Sequence, residues 1–250
     1  MKHIYNSLCL LAASILLGFG CAPKPREIDT ISLLRSKEAT EHIWVAAHRA
    51  DCLYAPENSL EAVRNALYFG ADIIETDVRM TKDGHIVIMH DYTVDRMTNG
   101  TGTISEMTLE EIKKLRLKTN WGGRTELEVP TLEEFIELTK GKMCLYLDKA
   151  AYDIPGHIPG TMVRALLKVL EEHGVLEEAV FVLDWPYAKA KAIFGDALEK
   201  VIYCPVIDDR TSIFESPEQG WGWLVDQGFS ILETNYQNDL IRFLKTQGRH

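Results

Sequence analysis

Short apolar runs alternate with amphipathic segments along the chain from residue 41 onward. The early runs are rich in Val and Ile and are bounded by turn residues such as Lys82, Asp83 and Gly84, which is typical of β-strands. The tight turn before residue 85 indicates that the run after it is a hairpin partner of the run before it. The pattern predicts strands at residues 43–47, 72–78, 85–89, 143–148, 180–184, 201–206 and 230–233.

The segments between these runs carry the start and stop signals of helices. Residues 57–69 place their apolar side chains on one helical face, and Gly70 follows in the position of a left-handed cap. Thr108 and Thr131 each precede a Leu-Glu-Glu sequence, which is the pattern of a capping box at a helix start. Further helices are predicted at residues 161–173 and 218–227.

Alternating strands and helices predict a parallel sheet covered by helices. Polar residues cluster at the carboxyl ends of the strands, where (β/α)8 barrels build their active sites. An open doubly wound sheet usually has a Gly-rich phosphate loop after its first strand, and none occurs here. We therefore predict an α/β fold of the TIM-like barrel type. About six parallel strands are found where a full barrel has eight. The shortage falls between residues 206 and 230, so the barrel is predicted to be incomplete, with a gap there.

Two acidic residues on the second strand indicate a metal site. Strand side chains alternate between faces, so Glu75 and Asp77 project to the same side, where two carboxylates repel unless a cation neutralises them. Oxygen ligands suit Ca²⁺ or Mg²⁺ better than Zn²⁺. The alternative is that Glu75 and Asp77 only form ion pairs with Arg49 or Arg79. Such pairing accounts for a single carboxylate more easily than for two on the same strand face.

The motifs around these residues resemble the glycerophosphodiester phosphodiesterase family, which shares a barrel with the phosphatidylinositol-specific phospholipases C. Their order and spacing agree together, and the likeness covers most of the chain after residue 43 before weakening beyond Asp148. The matching motifs are His48-Arg49, Ala-Pro-Glu-Asn-Ser at 55–59, Gly-Ala-Asp at 70–72, Glu-Thr-Asp-Val at 75–78, Thr-Lys-Asp-Gly at 81–84, His90-Asp91, and Arg-Met-Thr-Asn-Gly-Thr-Gly at 96–102.

Three departures stand beside this resemblance. Ala50 follows His-Arg where the family usually has Gly. Lys149 directly follows Asp148, whereas the family generally has Glu with Lys two residues later. After the last strand, Asn235 and Gln237 replace the Asp and Pro that the family tends to have.

The resemblance implies a role for each polar residue of the site. One divalent cation, Ca²⁺ or Mg²⁺, is expected between the three acidic side chains. The implied roles are general acid and base for His48 and His90, phosphate binding for Arg49 and Lys149, metal binding for Glu75, Asp77 and Asp148, and support of this shell for Glu57, Asn58 and Asp91, the last by orienting His90 or pairing with Arg96.

The implied activity is metal-dependent hydrolysis of glycerophosphodiesters to an alcohol and sn-glycerol 3-phosphate. Two alternatives stay open. One is a weakened or inactive surface lipoprotein of the same fold, which the departures and the missing strands favour. The other is a phosphodiesterase with a different head-group specificity.

Charge and cysteine content narrow the possible partners. The chain has a net charge of −10 and no Lys/Arg-rich run, so nucleic acid is not expected to bind.

With 46% hydrophobic residues and no internal repeat, residues 41–250 are predicted to form one globular domain. Cys52, Cys144 and Cys204 remain after the N-terminal cysteines are set aside, and an odd number does not favour a disulfide framework.

The N-terminus has the pattern of an export signal. Residues 8–19 are apolar but too short to span a bilayer, which is typical of a signal-peptide core. Cys21 follows small residues, so we predict a lipoprotein signal at 1–21, a tether at 22–40, and a protein in the periplasm or on the outer membrane, held by a lipid anchor. Ordinary secretion is the alternative, because Gly18 replaces the usual aliphatic residue.

Overall fold

The computed structural model describes residues 43–151, 156–182, 187–204, 217–226, 231–234 and 236–250. The predicted signal peptide at 1–21 and tether at 22–40 lie outside this range and stay predictions. Within the described residues, no helix combines the length and the apolar character needed to cross a membrane.

Six of the seven described strands run parallel in one sheet, in the order β6-β5-β4-β2-β1-β7. The short strand β3 pairs antiparallel with the second half of β2, as the hairpin pattern predicted. The predicted TIM-like fold is confirmed, and the described residues contain six parallel strands, in agreement with the predicted number of about six. Between β6 and β7 the structure describes only the helix at residues 217–226, so the predicted gap in the barrel stays a prediction. The strands are β1 Trp44–Ala47, β2 Ile73–Met80, β3 Ile86–Ile88, β4 Cys144–Asp148, β5 Ala179–Val182, β6 Ile202–Cys204 and β7 Ile231–Thr234.

The predicted helices are present, and the largest difference is the start of the first one. The first helix begins at Leu60 rather than at 57, because Ser59 is its N-cap and accepts a hydrogen bond from the Ala62 N–H. It ends at Gly70, whose φ of 85° suits glycine. The helices are α1 Leu60–Phe69, α2 Leu109–Lys113, α3 Leu132–Thr139, α4 Thr161–His173, α5 Tyr187–Phe194, α6 Pro217–Asp226 and α7 Gln237–Thr246, and α5 and α7 had no prediction.

The two faces of the sheet have different surroundings. Alternate side chains along each strand point to the same face of the sheet. Those on the inner face form a small apolar cluster that includes Trp44, Ile73 and Cys144. The side chains on the outer face pack against the helices in the largest core cluster. Ile73, Glu75 and Asp77 are alternate residues of β2 and therefore share the inner face, which is apolar at the start of β2 and acidic toward its end.

The segment between β3 and α3 has a core of its own. It contains α2 and a 3₁₀-helix at Ile104–Glu106, and its buried side chains pack mainly on each other. This segment therefore forms a compact cap beside the carboxyl end of β2. This core consists of Val87 of β3 together with Met89, Val94, Met97, Ile104, Ile112, Leu117 and Val129 of the segment.

The last strand joins the first one directly. β7 pairs with β1 along its whole length, and α7 packs its buried face against the outer side of that pair. The chain end is held as well, because Ile43 N–H donates to the Arg249 carbonyl and His250 Nε2 lies 3.1 Å from Asp72 Oδ2. These contacts place the carboxyl end of β7 beside His48, whose N–H donates to the Thr234 carbonyl.

Candidate active site

Three carboxylates meet at the carboxyl end of the sheet. Glu75 and Asp77 are two residues apart on β2, and Asp148 ends β4 directly opposite Asp77 in the parallel register. One oxygen of each residue lies within 4.8 Å of the others. Glu75 and Asp77 are 2% and 1% exposed, while the Asp148 side chain is 30% exposed. Three buried or half-buried carboxylates at this spacing repel one another strongly without a nearby cation.

The donor set fits a hard divalent cation. Ca²⁺ binds oxygen ligands at about 2.3–2.6 Å and Mg²⁺ at about 2.0–2.1 Å, so oxygens within 4.8 Å of one another can share one ion. All three donors are carboxylate oxygens, and no thiolate or imidazole belongs to the described group, which argues for Ca²⁺ or Mg²⁺ rather than Zn²⁺.

The loop after β1 is bent back onto the acidic cluster. Arg49 and Ala50 both have positive φ, 49° and 61°. This conformation points the Arg49 N–H at Glu75 Oε2, 2.5 Å away, and the Ala50 N–H at the Glu75 carbonyl. Ala50 is buried in the core, so the residue that replaces the usual glycine of the family is accommodated, at the cost of a left-handed backbone.

Asn58 fixes the orientation of Asp77. Its Nδ2 donates to Asp77 Oδ2 over 2.8 Å, and its Oδ1 accepts from the Thr76 hydroxyl over 3.0 Å. All three residues are buried, and Asn58 has a φ of 58°, which asparagine tolerates better than most residues. Asn58 therefore fixes one carboxylate of the acidic cluster.

Glu57 lies between two arginines. Arg49 Nη1 donates to both of its carboxylate oxygens at 3.1 and 3.0 Å, and Arg96 donates to the same oxygens at 2.6 and 3.1 Å. Burial raises the pKa of Glu57, but the hydrogen bonds from Arg96 and the charge of Arg49 outweigh burial, so the pKa lies below its usual value. Glu57 is therefore an anion that orients both guanidinium groups.

His90 is part of a second group of hydrogen-bonded charged side chains, which shares Arg96 with the group around Glu57. His90 Nδ1 lies 2.7 Å from Asp91 Oδ1, and Arg96 donates to both oxygens of Asp91 at 2.7 and 3.0 Å. Hydrogen bonds from Arg96 hold the pKa of Asp91 well below its usual range. Arg79 of β2 donates to the main-chain carbonyls of His90 and Asp91, so the histidine is held through both its backbone and its ring.

Lys149 follows β4 in a left-handed conformation, with φ of 64°. Its Nζ lies 2.5 Å from Asp148 Oδ2 and 3.7 Å from Asp77 Oδ1. The residue assigned to phosphate binding by resemblance is thus in contact with two of the three candidate metal ligands. That phosphate-binding role stays a prediction.

A loop of the β3–α3 segment holds the β1–α1 loop from the side. The Asn120 amide donates to the carbonyls of Cys52 and Ala55 and accepts from the Glu57 N–H. The next residue, Trp121, is 80% exposed. Burial raises the pKa of the Cys52 thiol to about 11, which disfavours the thiolate form.

The structure brings nearly all of the sequence-predicted residues into one connected group. Contacts between described residues link Arg49, Glu57, Asn58, Glu75, Asp77, His90, Asp91, Asp148 and Lys149, while His48 lies at the end of β1 beside Arg49. Sequence reasoning gave no linking role to Arg96, and it missed Arg79 and Asn120 as supports. Arg96 could have been found as the first residue of the last matching motif, whereas nothing local marks Asn120.

Comparison with known proteins points to one family. A model of the glycerophosphoryl diester phosphodiesterase family matches residues 48–199, more than half of the chain. The glycerophosphodiester phosphodiesterase of Caldanaerobacter subterraneus is 50% identical over 137 residues, which are 54% of this chain and 56% of that protein. Human glycerophosphodiester phosphodiesterase 1 is 35% identical over 220 residues, 85% of this chain and 60% of that protein. The chain spans about half the length of the curated relatives it matches.

Solved structures share the fold. A glycerophosphoryl diester phosphodiesterase from Parabacteroides distasonis superposes with a TM-score of 0.66 at 22% identity, covering 87% of this chain and 91% of that one. An Oleispira antarctica phosphodiesterase, solved in complex with the product sn-glycerol-3-phosphate, gives 0.65 at 22% identity over 81% and 96%. On the family match, which covers more than half of its residues, this chain belongs to the glycerophosphoryl diester phosphodiesterase family.

Proposed function

We propose that this protein hydrolyses glycerophosphodiesters to an alcohol and sn-glycerol 3-phosphate with the help of one divalent cation. The observation that carries the proposal is the charged group at the carboxyl end of the sheet. There a carboxylate triad stands within one contact network with an arginine and a carboxylate-paired histidine, in a member of this family. The Oleispira relative that shares the fold holds the product named here, which supports the same substrate class.

Glu75, Asp77 and Asp148 would hold the cation, which when bound supplies positive charge to a phosphodiester oxygen and to the attacking oxygen. Asn58 keeps the Asp77 carboxylate turned toward this position. Arg49 binds the anionic phosphodiester. Its Nη1 is engaged by Glu57, but its buried Nε has no hydrogen-bond partner in the described part of the chain and lies 3.7 Å from Asp77.

His90 and His48 move the protons. With Nδ1–H donated to Asp91, His90 presents Nε2 as the nitrogen that gains or loses a proton. The Asp91 carboxylate stabilises the imidazolium that forms, as in other carboxylate–histidine pairs. The attacking group is the glycerol hydroxyl of the substrate: one histidine removes its proton as the oxygen bonds to phosphorus, and the other protonates the alkoxide that leaves as the alcohol. Water then opens the cyclic phosphate formed in this step and gives sn-glycerol 3-phosphate.

The deciding experiment measures sn-glycerol 3-phosphate release by the purified protein from a panel of glycerophosphodiesters that differ in their alcohol. Each substrate is tested in excess EDTA and with Ca²⁺ or Mg²⁺ restored. We expect turnover only with a cation. Glu75→Gln should lower turnover and cation affinity together, whereas Glu61→Gln, the same chemical change on the exposed face of α1, should alter neither.

Two results would contradict the proposal. Full turnover in excess EDTA would remove the cation from the mechanism. No turnover on any substrate with any cation, in a protein that still binds sn-glycerol 3-phosphate, would favour a non-catalytic binding protein of the same fold.

We also propose that the protein is exported and held at a membrane by a lipid on Cys21. The support is the apolar stretch at 8–19 followed by small residues before that cysteine.

A further inference from the structure

Lys149 reaches the acidic cluster only because of its backbone conformation. Side chains of successive residues in an extended strand point to opposite faces, so the residue after Asp148 would normally point away from it. The φ of 64° breaks that alternation in the turn directly after β4. As a result the Lys149 ammonium returns to the face that carries Asp148 and Asp77.

The ammonium contacts the carboxylates that a cation would use. Lys149 Nζ lies 2.5 Å from Asp148 Oδ2 and 3.7 Å from Asp77 Oδ1, and its side chain is mostly buried. On the other side of Asp77, Arg49 Nε lies 3.7 Å from Oδ2, and Arg49 is held in place by Glu57. Arg49 is therefore a fixed neighbour, whereas Lys149 sits on a flexible stem that can move.

We propose that Lys149 is a built-in competitor of the divalent cation, an ammonium that neutralises Asp148 and Asp77 until the cation and a phosphate group displace it. This inference rests on the metal site proposed above. A cation that binds the same oxygens must break the Lys149 contacts and approach a like charge, so Lys149 weakens cation binding. The same contacts stabilise the cation-free protein, because two poorly solvated carboxylates lose their counter-charge when the ammonium is removed.

A coupling between ligands follows from this arrangement. An anionic phosphate in the site offers the displaced ammonium a new partner, so phosphate and cation each favour binding of the other. Coupling of this kind is reciprocal between two ligands. In the wild type, sn-glycerol 3-phosphate should therefore tighten cation binding more than it does in a protein that lacks the Lys149 charge.

The test compares Lys149→Met and Lys149→Arg with the wild type, and Lys114→Met serves as the matched control. Lys114 is also paired with a carboxylate, at 2.7 Å from Glu110, but on an exposed helix surface. Calorimetry measures the Kd for Ca²⁺ and Mg²⁺ with and without sn-glycerol 3-phosphate. Thermal unfolding in EDTA measures the stability of the cation-free protein, and titrated cation should raise the Tm by mass action.

We expect Lys149→Met to bind the cation at least about tenfold more tightly than the wild type. A tenfold change in Kd corresponds to about 1.4 kcal/mol, and repulsion between the ammonium and a cation on the same carboxylates exceeds that energy. Its Tm in EDTA should fall, and added cation should raise it more than in the wild type. Lys149→Arg should keep the weaker binding, and Lys114→Met should change the Kd less than about twofold because solvent and salt screen its charge.

Three outcomes would overturn the inference. A Kd for Lys149→Met within about twofold of the wild type, or weaker, shows that Lys149 does not compete. Equal tightening in Lys149→Met and Lys114→Met assigns the effect to net charge alone. Absence of cation binding in every variant, the wild type included, removes the proposed metal site and the inference with it, so the two failures are distinguishable.

Discussion

Replacing Arg96 by glutamine should destabilise the protein by breaking the bridge between Glu57 and Asp91. Arg96 donates two hydrogen bonds to each carboxylate, and the bridge joins the β1–α1 loop to the segment that carries His90. Glutamine keeps much of the length but loses the charge and the planar fork that binds two carboxylates at once. The matched control is Arg64→Gln, which makes the same change in an exposed i,i+3 pair with Glu61.

The size of the effect follows from the exposure of the partners. The Arg96 and Asp91 side chains are 45% and 28% exposed, so that half of the bridge is screened and contributes about 0.5–1 kcal/mol. Glu57 is only 9% exposed, and a buried carboxylate that loses a charged donor costs about 1–3 kcal/mol, less here because Arg49 stays bound. We expect a loss of about 2 kcal/mol, or about 4–8 °C in Tm for a domain of this size.

The loss should depend on pH in a defined direction. The folded-state pKa values of Asp91 and Glu57 lie below their usual values, so the bridge stabilises the protein above the unfolded-state pKa near ~4 and is lost as pH falls through the folded-state values. Urea unfolding of Arg96→Gln and the wild type should therefore differ fully at about pH 7, begin to converge below about pH 4, and become equal only after pH has passed the lower folded-state values. A difference at neutral pH no larger than that of Arg64→Gln, or one that persists undiminished in acid, would refute this reasoning.

Five further substitutions test other parts of the molecule. His48→Ala and His90→Ala should each lower kcat by about 10²–10⁴ with the fold intact, and near-normal turnover would remove that histidine from the mechanism. Asn120→Ala leaves three main-chain groups without their amide partner and should cost about 2–3 kcal/mol in urea unfolding; a smaller loss would mean that the loop is held otherwise. Ala50→Gly relieves a left-handed alanine, worth about 1–2 kcal/mol, but it loses a buried methyl of about 0.8 kcal/mol and gains unfolded-state entropy. Its stability should stay within about 0.5 kcal/mol of the wild type. Cys21→Ser should release the protein from the membrane fraction, and unchanged fractionation would leave ordinary secretion as the explanation.

Local sequence patterns predicted most of the secondary structure. The Thr108 and Thr131 capping boxes both formed, because such boxes depend on side chains three residues apart in the chain. The turn at residues 81–84 predicted the β2–β3 hairpin for the same reason. The predicted start of the first helix was wrong by three residues, because Ser59 caps the helix and Asn58, in a left-handed conformation before it, donates to Asp77.

Sequence alone also identified the acidic pair of the candidate site, because strand periodicity places Glu75 and Asp77 on one face whatever the rest of the chain does. Only the tertiary structure decided how they are surrounded. The parallel register sets Asp148 opposite Asp77, a left-handed backbone returns Lys149 to the same carboxylates, and Arg96 bridges two segments that are far apart in sequence. Strand register, the positive φ of a residue such as Lys149, and ion pairs between distant residues result from packing between segments that are far apart in sequence. No local pattern of apolar and polar residues encodes them.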